Sequence, residues 1–113
     1  MFFDEYIPQK KLYLAEVLTY SNFKPIKVGV SKNPHHRMKQ LRSMGIHLPQ
    51  LLGYYEFPTT KDSFLAEAAI LRQFKPRPGY DPFLTKEVID ATFKELHSFI
   101  IKLEPLRFIS AGR

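Results

Sequence analysis

Nine prolines cut this 113-residue chain into short pieces: Pro8, Pro25, Pro34, Pro49, Pro58, Pro76, Pro78, Pro82 and Pro105. Each lacks a backbone donor and disfavours helix at the residue before it, so regular structure has to fit between them. The intervening segments keep clean periodicities. KLYLAEVLT, from Lys11 to Thr19, sets Tyr13, Ala15 and Val17 on one side and Leu12, Leu14 and Leu18 on the other, which predicts a strand apolar on both faces. After a turn ending at Pro25, IKVGVS alternates Ile26, Val28 and Val30 against Lys27, Gly29 and Ser31. The pair predicts an antiparallel hairpin.

In the next segment Asn33 suits a helix cap, Pro34 the first helical position and Gly45 the carboxyl-terminal stop. LLGYYEF (51–57) predicts a third strand, and Thr60 or Asp62 opens a second helix with Phe64, Leu65, Ala68, Leu71 and Phe74 at helical spacing. A loop, KPRPGYDPFL, follows. Thr85 is the expected cap of a last helix over about 85–103, whose stripe runs through Val88, Ile89, Thr92, Phe93, Leu96, Phe99, Ile100 and Leu103. The expected fold is therefore α+β: a small three-stranded antiparallel sheet flanked by helices, order β-β-α-β-α-α, in one domain over 1–113. Phe99 and Phe108 are candidates for a dimer interface should that stripe continue outward.

Composition narrows the function. Ten Phe and six Tyr give a chain of this size bulky side chains to bury. The absence of cysteine excludes thiolate zinc sites, disulfides and cysteine nucleophiles. The amino terminus, MFFDEYIPQKK, lacks the pattern of a signal peptide, and no apolar run is long enough for a membrane helix. The expected location is the cytoplasm, with no membrane partner. Seventeen Lys and Arg against eleven acids give a net charge of +6, which favours a polyanionic partner.

That charge is concentrated. Lys24, Lys27, Lys32, Arg37, Lys39 and Arg42 form a run without an acid, with His35 and His36 inside it, and Arg72, Lys75 and Arg77 form a second group. The first run spans a strand, a turn and a helix start, where backbone donors favour phosphate. Lys24, Gly29, Lys32, His36, Lys39, Arg42, Arg72, Lys75 and Arg77 are thus the candidate nucleic-acid contacts. Arg37 is spaced with Leu41 and Met44 beside an apolar stripe, where a guanidinium needs an anion or a route to water. Glu67 interrupts the apolar positions of the second helix, where a carboxylate can bind a divalent cation or pair with a base. Gly29 weakens its strand and marks close approach by a ligand or another backbone. If the hairpin register also brings Tyr13 to the face of Lys27 and Gly29, a phenol, an ammonium and bare backbone converge beside the Arg37 helix.

The succession LYLAEV, IKVGVSKNPHHRMKQL and LAEAAILRQF resembles the GIY-YIG nuclease superfamily, in its short phage-associated branch whose second motif half reads K-[IV]-G. The likeness spans about residues 11–90. On it Tyr13 matches the tyrosine of the first half, Val28 and Gly29 the end of the second, Arg37 the helix arginine and Glu67 the metal-binding glutamate, while TKEVI around Glu87 resembles a closing acidic motif. The first half reads KLYLAEV, and Lys27 holds the second tyrosine position, where lysine supplies a point charge but not a phenol's mixed donor and acceptor character. The resemblance implies a DNA endonuclease using one Mg2+ or Mn2+ ion on Glu67, with Tyr13, Lys27, Arg37 and Glu67 as the catalytic group, in phage or mobile-element DNA metabolism and thus in a host cytoplasm. A non-catalytic module that binds nucleic acid, or binds and inhibits a protein, is the other class this arrangement allows. A homodimer or protein partner would supply specificity to so small a domain.

Overall fold

The computed structural model describes residues 9–17, 25–44, 49–74 and 88–111. Among the described residues eight elements follow one another: β1 (Lys11–Glu16), β2 (Ile26–Ser31), α1 (Pro34–Ser43), β3 (Gln50–Glu56), α2 (Thr60–Gln73), β4 (Val88–Ile89), α3 (Phe93–Ile101) and β5 (Arg107–Ser110). The strands make one antiparallel sheet in the order β4-β2-β1-β3-β5.

The sheet has five strands where the sequence predicts three, and the order is β-β-α-β-α-β-α-β. Val88 and Ile89 fit a helical stripe, but they pair instead with Lys27 and Ile26 as β4. The helix starts only after them, because Thr92 and Glu95 form a capping box that satisfies the amides of both residues at 3.1 Å. Beyond it, Arg107–Ser110 pairs with Gly53–Glu56 as β5, and the Phe108 ring lies where a Cβ on Gly53 would stand. Phe99 and Phe108 pack against the core of their own chain rather than facing outward as dimer contacts.

The hairpin is antiparallel as expected, and α1 begins with Asn33 accepting from the His36 amide at 3.1 Å ahead of Pro34. Gly45 and the loop KPRPGYDPFL lie outside the described residues. Alternation along β1 divides the interior. Leu12 and Leu14 face a large apolar cluster containing Ile26, Val28, Ala66, Ile70, Leu96 and Ile100, so α2 and α3 cover one face. Tyr13, Ala15 and Val17 face a smaller cluster with Met38, Leu41, Leu51 and Val88, so α1 covers the other.

The inner face of α2 differs from its expected one. Ser63, Ala66 and Ile70 are buried, while Phe64 and Leu65 are exposed. Small residues let the helix sit close: the Ser63 hydroxyl donates to the Lys10 carbonyl at 2.8 Å, and the Lys10 amide donates to Thr60 Oγ1 at 3.0 Å. These bonds fix the start of α2 to the start of β1.

Candidate functional site

The hairpin register decides where the polar residues of β1 and β2 stand. Tyr13 pairs with Gly29 and Ala15 with Lys27, so Tyr13, Gly29 and Lys27 share the face covered by α1. Directly paired residues of an antiparallel ladder project to the same side.

Gly29 has a local reason. A Cβ built there would stand 2.3 Å from the Tyr13 Oη and 2.4 Å from its Cζ, closer than side chains approach. The phenol end of Tyr13 therefore lies across β2 in the space a side chain would fill. The close approach at Gly29 is made by this side chain, where the sequence suggests a ligand or another backbone.

Lys27 is buried to 1% exposure, as is Tyr13. Its ammonium lies 5.8 Å from the centroid of the Tyr13 ring and donates to the Val28 carbonyl at 3.3 Å. Taking an ammonium out of water is costly, and a cation–π contact and a carbonyl offset part of that. The strict alternation of IKVGVS suggests an outward lysine; α1, folded over that face, turns the outside into an interior.

Arg37 is half-buried on the flank of α1, beside the inward Met38 and Leu41. Its guanidinium donates to Gln40 Oε1 at 3.1 Å, one turn further along the helix. A neutral amide is a weak partner that an anion can replace. Lys32, His36, Lys39 and Arg42 are exposed around the same helix, whose first turn carries no acid. Arg72 is exposed on α2, and Lys24, Lys75, Arg77 and Glu87 lie outside the described residues.

Glu67 stands apart from these. It is half-buried on α2, on the stripe of Ser63, Ala66 and Ile70 that turns toward the sheet, and this helix packs on the Leu12 face. Arg37 and Glu67 therefore belong to helices on opposite faces. Among the described residues β4 pairs only with Ile26 and Lys27 of β2 and leaves Val28 to Ser31 without an outer strand. Glu67 has an interaction partner of its own. No group of three His, Asp or Glu stands at metal-binding separation among the described residues.

Sequence reasoning missed two side chains on the Tyr13 face. Tyr54 pairs with Tyr13 across β1 and β3, and the His35 ring meets it edge-on with centroids 6.3 Å apart. The signal was present in the alternation of LLGYYEF, but the bulge that shifts the β1–β3 register between Leu14 and Ala15 hides which tyrosine faces α1. No helix among the described residues is long and apolar enough to cross a membrane.

No curated protein and no solved structure matches the chain. Residues 11–104 match the T5orf172 domain, a span that begins at β1 and ends just past α3. The chain thus belongs to the T5orf172 family, a phage-associated domain related to GIY-YIG and HNH-type nucleases.

Proposed function

We propose that the domain is an endonuclease that hydrolyses DNA phosphodiester bonds with one divalent cation, Mg2+ or Mn2+, at a site centred on the open edge of β2. The observation that carries this reading is the register setting Tyr13 over Gly29 and beside Lys27, under the helix that bears Arg37. Family membership supports it.

Each residue has a chemical part. Arg37 gives up Gln40 and binds the scissile phosphate, where a fixed guanidinium stabilises charge as it develops. Lys27 adds a positive charge, and the Tyr13 hydroxyl relays a proton, taking one from the attacking water as it gives its own to a phosphate oxygen or to solvent. Since both are buried, substrate has to reach them along the unpaired edge of β2. Glu67, carried by α2 on the other face of the sheet, supplies one carboxylate. That donor suits Mg2+, which is held by one or two carboxylates with water and phosphate oxygens completing its shell. When bound, such an ion neutralises phosphate charge and makes its bound water more acidic. Lys32, His36, Lys39 and Arg42 hold the flanking DNA backbone, with Lys24, Arg72, Lys75 and Arg77 extending the contact.

The test is nicking of supercoiled DNA in Mg2+ or Mn2+ by the purified protein and by Glu67→Ala and Arg37→Ala. Each substitution is expected to lower the rate by about 10²–10³ while the thermal midpoint stays near that of the parent. Equal nicking by all three proteins would sink the catalytic reading. The burial of Tyr13 and Lys27 favours a second reading, a binding module without catalysis. That reading predicts no nicking, together with DNA affinity that falls steeply as salt rises.

A further inference from the structure

At the end of the sheet where β1 begins and β3 finishes, two grooves meet at Phe57 and Pro58. One, of 290 Å³, runs between α2 and the turn after α3, past Leu65 and Leu103, and carries the acids Asp62 and Glu104. The other, of 270 Å³, runs past Leu106 and carries Lys10 and Lys11. Glu56 also lines the second groove, but it is bonded to the Arg107 guanidinium, so among the described residues the free charge on that side is basic. Lys10 lies 5.3 Å over the ring of Phe64, and Lys11 donates to the Gln9 and Lys32 carbonyls at 3.4 and 3.2 Å. The Asp62 carboxylate accepts from the Thr59 hydroxyl at 2.9 Å.

The apolar residues around these grooves are the most exposed large ones near this end: Leu106 at 67%, Leu65 at 56% and Phe64 at 45%. Leu106 is held there, its amide donating to the Glu56 carbonyl at 2.7 Å. Glu104 adopts a φ of 59°, in the left-handed region that non-glycine residues seldom occupy. A strained turn that fixes an exposed leucine suits an interface.

We propose that this surface binds a second copy of the same chain about a two-fold axis passing near Phe57 and Pro58. The choice of partner follows from charge. An isologous contact brings each patch against itself reversed, so the acidic groove of one copy meets the basic groove of the other, twice. The apolar centre of Leu65, Leu106 and Pro58 is then enclosed by a rim of opposite charges, the usual anatomy of an interface. A patch of single sign would instead repel its own copy. The inference is independent of nuclease activity.

Sedimentation equilibrium of the full chain tests it. The parent is expected to self-associate reversibly to a dimer, and Leu106→Glu or Leu65→Glu to remain monomeric with unchanged far-ultraviolet circular dichroism, since both positions are exposed. Lys10→Glu and Glu104→Lys should each weaken association by about tenfold or more through like-charge contact. Mixed in equal amounts, these two variants should form a heterodimer, because each then presents the charge the other needs. A parent that stays monomeric at its solubility limit would overturn the proposal. So would a dimer indifferent to both leucine substitutions, or a charge-reversed mixture that does not associate better than its components.

Discussion

The two faces of one sheet have been given different work. On the side of α2 and α3, the strands present Leu12, Leu14, Ile26 and Val28 to a continuous apolar cluster closed by Tyr55, Phe57, Ile70, Leu96 and Ile100. On the side of α1, alternate residues of the same strands present Tyr13, Gly29 and Lys27 beneath a single helix. Because side chains alternate along a strand, both faces are written in the same twelve residues of β1 and β2, and a slip of one position would exchange them. Stability and polar chemistry are thus separated by the thickness of the sheet. A substitution in the buried apolar cluster of the α2–α3 face should act through folding, and one of Tyr13, Gly29 or Lys27 on the α1 face through the site as well.

The largest expected effect lies on the apolar face. Leu96 is wholly buried between α3 and the sheet, and Leu96→Ala removes apolar contact and leaves a cavity that two packed helices cannot close, a loss of about 2–5 kcal/mol. Leu41 is equally buried, but among the described residues its cluster contains no helix besides its own, α1, which can settle into the space. Leu41→Ala should therefore cost less. Denaturant unfolding of both variants measures the difference, and an equal or greater loss at Leu41 would remove the contrast between the faces.

Local signals made part of this legible in the sequence. The hairpin alternates over residues adjacent in the chain, and Asn33-Pro34 is a self-contained helix start, so both are found where the pattern puts them. What escaped detection depends on distant partners. Val88 and Ile89 satisfy a helical stripe and a strand equally well, and only their pairing with β2 decides. Arg107–Ser110 is too short to stand out until β3 supplies its hydrogen bonds. Among the site residues, placement of Tyr13 with Lys27 and Gly29 was foreseeable as a condition on the register. The burial of Lys27 was not, since it comes from α1 folding back over that face. The phase of α2 misled for a related reason: Phe64 and Leu65 look like core, whereas the close approach to β1 selects Ser63 and Ala66.

A smaller effect is expected where the two functions touch. Gly29→Ala places a methyl against a phenol ring that is itself packed, so either β2 or Tyr13 has to move, at about 1–3 kcal/mol of overpacking. The substitution lies on the polar face, so its loss of DNA cleavage or binding should exceed what unfolding explains. Activity measured well below the unfolding temperature separates the two. If the only change is a lowered midpoint, with activity per folded molecule intact, the position of the Tyr13 ring has no part in function.

The smallest effect returns to the apolar face and is read by pH. The Tyr55 ring is buried there, its hydroxyl hydrogen-bonded to His97 Nδ1 at 2.8 Å, with the Phe108 ring 4.7 Å away. Burial pushes its phenol well above the ordinary value of 10.0. The unfolded chain therefore releases this proton at a pH where the folded chain still holds it. By linkage the contribution is intact below pH 10 and is lost as pH rises from there toward the folded value. Tyr55→Phe cannot ionise, so it should lose about 1 kcal/mol near neutrality with the His97 bond, and then show a shallower decline in alkali than the parent. The other five tyrosines are common to both proteins, so the difference between the two unfolding curves isolates Tyr55. Parallel curves above pH 10 would mean that the hydroxyl reaches water in the folded state, and that the apolar face is less closed than its packing indicates.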